Sequence, residues 1–241
     1  MDHAASPRYV QIADQLRHRI QSQLYAVGDQ LPPEAQLSQQ FGVNRHTLRQ
    51  AVALLRQEGL LRAERGRGTF VAAPIRYAIG QRVRYNEALK AHGHKAEFTL
   101  LRAIEVPAEA SVAQGLAIAP GAPVALIERL GMADGAPISV GSGHFPLARF
   151  ADLLSPESLN VLEQTHSISQ WLRDRYGIDH IRRRTSVSAR LVQPRDAKLL
   201  QLPLNQPILL AESINVDQQG QVIEYGVARL RGDRMELVFE P

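Results

Sequence analysis

The segment from Asn44 to Ala73 constrains the fold of this chain more than any other stretch. NRHTLRQAVALLRQEG has apolar residues at helical spacing and polar residues on the other side, which predicts an amphipathic helix over 44–58 capped by Asn44. LLRAE, RGRG and TFVAA then predict two short strands joined by a glycine-containing turn over 60–71. A polar helix face followed by an arginine-tipped hairpin indicates a surface for a polyanion.

The residues before this segment predict two more helices. Apolar residues at three- and four-residue steps predict a helix over 7–24, and Pro33 with Glu34 starts a shorter one that Gly42 ends. Three helices followed by a hairpin are the order of a winged helix-turn-helix domain, which we place at 1–73. The helical pattern lapses at 74–80, which we interpret as a linker.

The remainder, 81–241, predicts an α+β domain with a mostly antiparallel sheet. VALIERLGM and PISVGSGHF flank an Asp134-Gly135 turn, which is a strong hairpin signal. SISQWLRDRYG and PRDAKLLQL predict helices. RRRTSVSARLV, PILLAESINV, QVIEYGVARL and RMELVFE predict strands. We interpret the basic triplet 182–184, at the start of the first of these strands, as a solvated sheet edge.

Positive charge is concentrated in the first domain. Residues 44–67 contain six arginines and two glutamates, whereas the chain beyond residue 75 has 19 basic and 18 acidic side chains. The basic excess is therefore local, as expected for a nucleic-acid contact.

The start of the predicted helix 44–58 has the side chains that read DNA. Arginine can bond bidentately to guanine in the major groove, and a helix N-terminus can hold a backbone phosphate. The glycines of the RGRG turn would let its arginines approach a minor groove. A solvated helix face is the alternative, but the paired helices and the hairpin favour double-stranded DNA. The predicted DNA-binding residues are Asn44, Arg45, His46, Thr47, Arg49, Arg65, Gly66 and Arg67.

Several functions are disfavoured by the sequence. It has no apolar run long enough to span a membrane and no apolar signal core at the N-terminus. It also has no cysteine, which fits a reducing cytoplasm. His92 and His94 form an isolated H-x-H that is weak evidence for a metal site. We expect no cofactor, no metal and no catalytic residues.

LPPEAQLSQQFGVNRHTLRQAVALLRQEGLLRAERGRGTFV resembles the signature of GntR-family bacterial transcriptional regulators. The resemblance implies that Arg45 and Arg49 lie on the recognition helix and that Arg65 and Gly66 lie at the wing tip. Ala35 stands where family members often have an arginine, which removes one expected DNA contact.

Residues 78–239 resemble the effector domain of the HutC subgroup, also called UTRA, whose fold resembles chorismate lyase. VALIERLGMADGAPISVGSGHFP and IEYGVARLRGDRMELVF carry this resemblance. It implies an effector site between sheet and helices, often for an anionic group. Gly131 replaces a second arginine that the subgroup often has. The predicted effector-binding residues are Tyr85, Asn86, Arg129, His144 and Glu224.

VNRHTLR resembles the phosphonate-metabolism regulators of this subgroup, so a phosphonate or phosphate-bearing effector is the first hypothesis. A histidine-breakdown intermediate or an amino-sugar phosphate comes next. We expect a homodimeric repressor that binds a palindromic operator, with its DNA affinity controlled by population shift. The alternatives are a lyase-like enzyme activity in the second domain and a non-specific architectural DNA protein.

Overall fold

The computed structural model of the chain describes residues 6–64, 66–80, 89 and 94–239. The chain divides into two compact units, Met1–Pro74 and Ile75–Pro241. Among the described residues, none of the helices combines the length and the apolar character that a bilayer-spanning segment requires.

The first unit is a winged helix-turn-helix, which confirms the predicted fold. Its elements are α1 (Arg8–Gln21), α2 (Glu34–Phe41), α3 (Arg45–Gln57), β1 (Leu61–Glu64) and β2 (Gly68–Val71). The core is formed by the apolar stripes of the helices, with Leu16, Leu48 and Leu55 all 0% exposed. The periodic residues of each helix therefore face the others, as their spacing predicted.

The turn between α2 and α3 follows from two residues. Gly42 ends α2 with φ at 61°, a left-handed conformation that glycine adopts without a steric penalty. Asn44 then caps α3, because its side-chain oxygen accepts a hydrogen bond from the backbone N–H of Thr47 at 2.8 Å. The two short helices are thereby fixed close together in the arrangement typical of a helix-turn-helix.

The second unit is α+β, and its elements alternate between long strands and short helices. They are β3 (Ile75–Ala78), β4 (Ala96–Pro107), α4 (Ala110–Leu116), β5 (Pro123–Ala133), β6 (Ala136–Pro146), α5 (Pro156–Thr165), α6 (Ile168–Tyr176), β7 (Ile181–Leu191), α7 (Pro194–Leu200), β8 (Pro207–Val216), β9 (Val222–Arg231) and β10 (Met235–Val238).

Six of these strands form one antiparallel sheet in the order β4-β5-β6-β9-β8-β7. The β5–β6 hairpin is the predicted one, since Asp134 and Gly135 both have positive φ, at 51° and 78°. That geometry suits a tight turn between twisted strands. The mostly antiparallel sheet predicted from the sequence is confirmed.

The interpretation of 74–80 as a linker is wrong for most of its length. Residues 75–78 form β3, which pairs in parallel with β10. Ile75 and Tyr77 are buried, at 2% and 6% exposure, and pack with Met235 of β10. Four residues with a partner distant in the sequence give no clear periodic signal, so only the tertiary pairing identifies this strand.

The two faces of the six-stranded sheet are covered by different helices. On one face, Ala125 and Ile127 of β5 pack in a cluster with Leu162 of α5 and Trp171 of α6. On the other, Val124 packs in a cluster that includes residues of α4. Because side chains alternate along a strand, neighbouring residues of β5 and β9 belong to different environments.

Candidate DNA-binding surface and effector cavity

The N-terminal half of α3 presents a polar surface. Arg45, His46 and Arg49 are exposed, whereas Leu48 and Ala51 are 0% exposed in the core. Thr47 is partly buried, and its backbone N–H bonds to the Asn44 cap. The side-chain oxygen of Asn44 is thus committed to fixing the helix start.

An acidic residue of α2 contacts this polar surface. Oε2 of Glu34 accepts a hydrogen bond from Nε of Arg49 at 2.8 Å, and both side chains are largely exposed. The sequence interpretation missed Glu34 as a partner of the recognition helix. Its position in the first turn of α2 was the available signal, because α2 and α3 pack together in a helix-turn-helix.

The hairpin that follows α3 is held at its base and charged at its tip. Gln30 donates a hydrogen bond to the Arg67 carbonyl, and a Cβ added to Gly68 would lie 2.6 Å from Nε2 of Gln30. Gly68 also has φ at +117°, so a side chain there would be strained. Glu64 accepts hydrogen bonds from both Arg62 and Arg67.

The predicted wing residues fall into two groups. Gly66 and Arg67 are exposed at the hairpin turn, and Gly66 has φ at +76°. Arg65 lies outside the described residues, as do two of the predicted effector-binding residues, Tyr85 and Asn86. His92, from the H-x-H pattern, also lies outside them, while Nδ1 of His94 is 2.7 Å from Oδ2 of Asp134.

A cavity of about 350 Å³ lies in the second unit, between the sheet and the start of α6. This volume suits a small metabolite. Its floor comes from strands β5 to β9, and the segment 166–170 with Arg173 and Asp174 contributes the helical side. The residues used below line it: Phe98, Arg129, Gly141, Gly143, Ser167, Ser169, His180, Arg182, Thr185, Ser213, Asn215, Glu224 and Gly226.

Arg129 and the start of α6 form the positive part of this cavity. The Arg129 guanidinium carbon lies 5.1 Å from the centre of the Phe98 ring. Ser167 caps α6 by accepting a hydrogen bond from the N–H of Gln170 at 3.1 Å. Because a helix N-terminus carries partial positive charge, this corner favours an anion.

Glu224 is the buried acid of the cavity, with 5% exposure. Its Oε2 accepts a hydrogen bond from Nδ2 of Asn215 at 2.6 Å and lies 2.7 Å from Nε2 of His180. Nδ1 of His180 is in turn 2.8 Å from Oγ of Ser169. Burial by itself raises the pKa of Glu224, but His180, Arg129 and Asn215 more than offset this and hold its pKa below the usual value. Glu224 is therefore ionised at neutral pH.

His144, which was also predicted to bind the effector, does not line this cavity. It neighbours Tyr225, with Nδ1 3.3 Å from the Tyr225 carbonyl oxygen, while the described lining of the cavity includes Gly143 but not His144. Alternation along β6 sends the two residues to opposite faces of the sheet. Burial lowers the pKa of His144, despite the Tyr225 carbonyl.

The same alternation separates Glu128 from Arg129. Glu128 is 4% exposed and accepts hydrogen bonds from Arg195, at 2.8 Å to Oε1, and from Arg229. The bond from Arg195 is the largest influence on the pKa of Glu128 and lowers it, against the effect of burial. This charged cluster is structural, as is the ion pair of Arg231 with Asp233 at 2.6 Å.

Arg182 is the cavity residue that the sequence interpretation placed wrongly. RRR at the start of β7 was interpreted as a solvated sheet edge, which fits the exposed Arg183 and Arg184. Arg182 instead lines the cavity and donates a hydrogen bond from Nη2 to the Tyr77 hydroxyl at 2.9 Å. Only the position of α6 and β3 over the sheet distinguishes it from its neighbours.

Comparison with known proteins agrees with this architecture. Residues 8–71 match the model of bacterial regulatory proteins of the gntR family, and residues 91–236 match the UTRA domain. The probable transcriptional regulator PhnF of Escherichia coli K12 is 32% identical over 97% of this chain and 95% of its own length. The transcriptional repressor PhnF of Mycolicibacterium smegmatis is 32% identical over 87% of this chain and 83% of its own.

A solved structure gives the same result for the fold. The crystal structure of PhnF from Mycobacterium smegmatis has a TM-score of 0.63 and 29% identity, and the match covers 95% of this chain and 98% of that one. A winged helix-turn-helix joined to a UTRA effector domain defines a transcriptional regulator. The chain belongs to the GntR family, in its HutC or UTRA subgroup, as the sequence resemblance indicated.

Proposed function

We propose that this regulator is a repressor that binds a palindromic operator as a homodimer. A small effector with a phosphonate or phosphate group binds in the cavity and changes the affinity for DNA. The observation that carries the effector part is the pairing of Arg129 with the N-terminus of α6 in one cavity. Repression is supported by relatives that are named repressors, including PhnF and NagR.

The DNA-binding part rests on the exposure of the α3 surface. Arg45 and Arg49 project from a helix whose opposite side is fully buried, so they are available to base edges in a major groove. Gly66 and Arg67 are exposed at the hairpin turn, where a second contact to the duplex would be made. A dimer supplies two such units, which suits half-sites about 34–36 Å apart.

The effector part rests on the charges in the cavity. Arg129 and the positive end of α6 offer attraction and hydrogen bonds to a tetrahedral anion. Because position 131 is a glycine and not a second arginine, β5 contributes a single arginine, Arg129, to this corner. The N-terminus of α6 therefore supplies part of the positive charge. Binding energy that differs between two conformations of the protein would then shift their populations and alter DNA affinity.

The operator is tested by selection from a pool of random double-stranded DNA with the purified full-length protein. We expect a palindrome whose half-sites are about one helical turn apart. Enrichment of a single unrepeated site, or of no site, would contradict the dimeric operator. Light scattering of the same sample should give twice the mass of one chain.

The effector is tested by a thermal-shift screen of phosphonates, sugar phosphates and imidazole-pathway acids. A ligand at a hundred times its dissociation constant adds roughly 2.7 kcal/mol to the stability. A true effector must also change the affinity for the selected operator. Arg129→Gln should abolish both responses, whereas Arg102→Gln, which changes an exposed arginine of β4, should abolish neither.

A further inference from the structure

The cavity contains a second polar region, formed by residues at the β7 and β8 end of the sheet. Arg182 of β7 is the cross-strand partner of Asn215 of β8, and Asn215 is the partner of Glu224 of β9. Thr185 of β7 is paired with Ser213 of β8 in the same way. All of these residues line the cavity, so the three strands present a continuous polar floor.

Several polar atoms of this floor are buried without a hydrogen-bond partner among the described residues. They are Nε and Nη1 of Arg182, Oγ1 of Thr185 and Oδ1 of Asn215. A buried polar group without a partner destabilises the folded protein, and a charged group does so more strongly. Three neighbouring residues with unmet hydrogen-bonding capacity in one cavity indicate a binding site for a polar ligand group.

The polar atoms that lack a hydrogen-bond partner define the chemistry of the ligand group that would bind them. Arg182 has donors and a positive charge, which call for an anion, and the Thr185 hydroxyl can donate to the same anion. Asn215 Oδ1 is an acceptor, and the ionised Glu224 lies next to it. An acceptor beside a carboxylate calls for a cationic donor such as an ammonium group. A carboxylate beside an ammonium group is the head of an α-amino acid.

The distance between the two charged regions sets the size of the ligand. Arg129 lies on β5 and Arg182 on β7, four strands apart in the sheet. At a strand spacing of about 4.8 Å their backbones are separated by roughly 19 Å. Both side chains line the cavity, so the space between them suits a molecule of a few carbon atoms.

We propose that Arg182, Thr185 and Asn215, with Glu224, form a subsite for an α-amino acid group. The carboxylate of the ligand lies against Arg182 and Thr185, and its ammonium group lies between Asn215 Oδ1 and Glu224. This inference extends the proposed function, because the phosphonate or phosphate group of the same molecule binds at Arg129 and α6. The effector is then an amino acid with a terminal phosphonate or phosphate.

The test is isothermal titration of the full chain with 2-amino-ω-phosphonocarboxylates of three to five carbons. The corresponding alkylphosphonates lack the amino acid head, and L-glutamate lacks the phosphonate. We expect one member of the first series to bind at least tenfold more tightly than its alkylphosphonate. Arg182→Gln and Thr185→Val should reduce this ratio at least fivefold and threefold, respectively. Arg184→Gln, an exposed change on the same strand, should leave it unchanged.

The outcomes separate the subsite from the proposed phosphonate site. Equal binding of both series, with dependence on Arg129, contradicts the amino acid subsite and supports the phosphonate site. Binding of L-glutamate that depends on Arg182, without binding of any phosphonate, supports the subsite and contradicts a phosphonate effector. If no probe binds the wild-type chain, both proposals are wrong. If Arg182→Gln fails to fold, Thr185→Val decides, since it only exchanges a hydroxyl for a methyl group.

Discussion

Nε2 of His180 lies 2.7 Å from Oε2 of Glu224, and both side chains are almost completely buried. His180 follows α6 in the chain, and Glu224 belongs to β9 in the middle of the sheet. Through Oγ of Ser169, His180 is also bonded to α6 itself. This contact therefore joins the helical side of the cavity to its floor.

Removing the charge of Glu224 should destabilise the second unit. Glu224→Gln replaces the charged acceptor of His180 and Asn215 with a neutral amide, and a hydrogen bond to a charged group typically contributes about 1.5–3 kcal/mol. Urea denaturation at pH 7 measures this loss in the free energy of unfolding. Glu105→Gln, an exposed change on β4, is the control and should have little effect. An equally stable Glu224→Gln variant would contradict the importance of the pair.

The same carboxylate predicts a dependence of stability on pH. Because folding lowers the pKa of Glu224 from its unfolded value of 4.5, its stabilising effect is complete above that pH. The effect is lost as the pH falls through the lower folded pKa. The difference in stability between wild type and Glu224→Gln should thus shrink as the pH is lowered below 4.5. A difference in stability that grows on acidification would mean that folding raises the pKa of Glu224 and does not lower it.

Arg45→Ala should weaken specific operator binding without unfolding the first unit. Arg45 is exposed and makes no ion pair with the described residues, so the fold does not depend on it. Loss of a bidentate contact to guanine should cost about 1–3 kcal/mol of discrimination. Fluorescence anisotropy with the selected operator and a scrambled duplex measures it. Arg56→Ala, at the far end of α3, should retain the preference for the operator.

Glu34→Gln should tighten DNA binding at low salt. The change removes the negative charge of Glu34, whose Oε2 lies 2.8 Å from Nε of Arg49. The positive charge of Arg49 is then no longer neutralised and attracts the DNA phosphates more strongly. Both side chains are exposed, and the free energy of unfolding should change by less than about 1 kcal/mol. Weaker binding by this variant would mean that Glu34 holds Arg49 in the orientation needed to read the operator.

Two glycines of β6 allow the cavity floor to be tested by the addition of one methyl group. A Cβ on Gly143 would lie 2.6 Å from Oε1 of Glu224, so Gly143→Ala should displace that carboxylate and lower stability by about 1–3 kcal/mol. A Cβ on Gly141 meets nothing within 4 Å, so Gly141→Ala should fold normally and weaken only effector binding. Thermal unfolding with and without ligand distinguishes them. Equal stabilities of the two variants would contradict the packing at Gly143.

The sequence was most informative where the structure depends on local patterns. Helix α3 with its Asn44 cap follows from periodicity and capping, and the β5–β6 hairpin follows from Asp134-Gly135. The strand β3 could not be predicted in this way, because its four residues depend on a partner more than 150 positions later in the chain. Long-range pairing has no signature in a short segment.

The cavity residues likewise divide into those that sequence motifs predicted and those that only the structure identified. Arg129 and Glu224 were predicted because they match motifs of the family, and both line the cavity, whereas His144, which was also predicted, lies on the opposite face of the sheet. Arg182 was not assigned, since nothing in RRR distinguishes an arginine that lines a cavity from its two exposed neighbours. Which face of a strand meets the cavity is decided by register and by the helices packed over it.

The sequence by itself determined that the chain has an arginine-rich recognition helix with a hairpin beside it, and an antiparallel effector domain after it. These properties are encoded in the spacing of apolar residues, caps and turns, each within a few positions. Only the tertiary structure decided that Arg182, Asn215 and Glu224 stand side by side on three strands, because strand pairing brings together residues that are far apart in the chain. The effector chemistry that we propose depends on that juxtaposition.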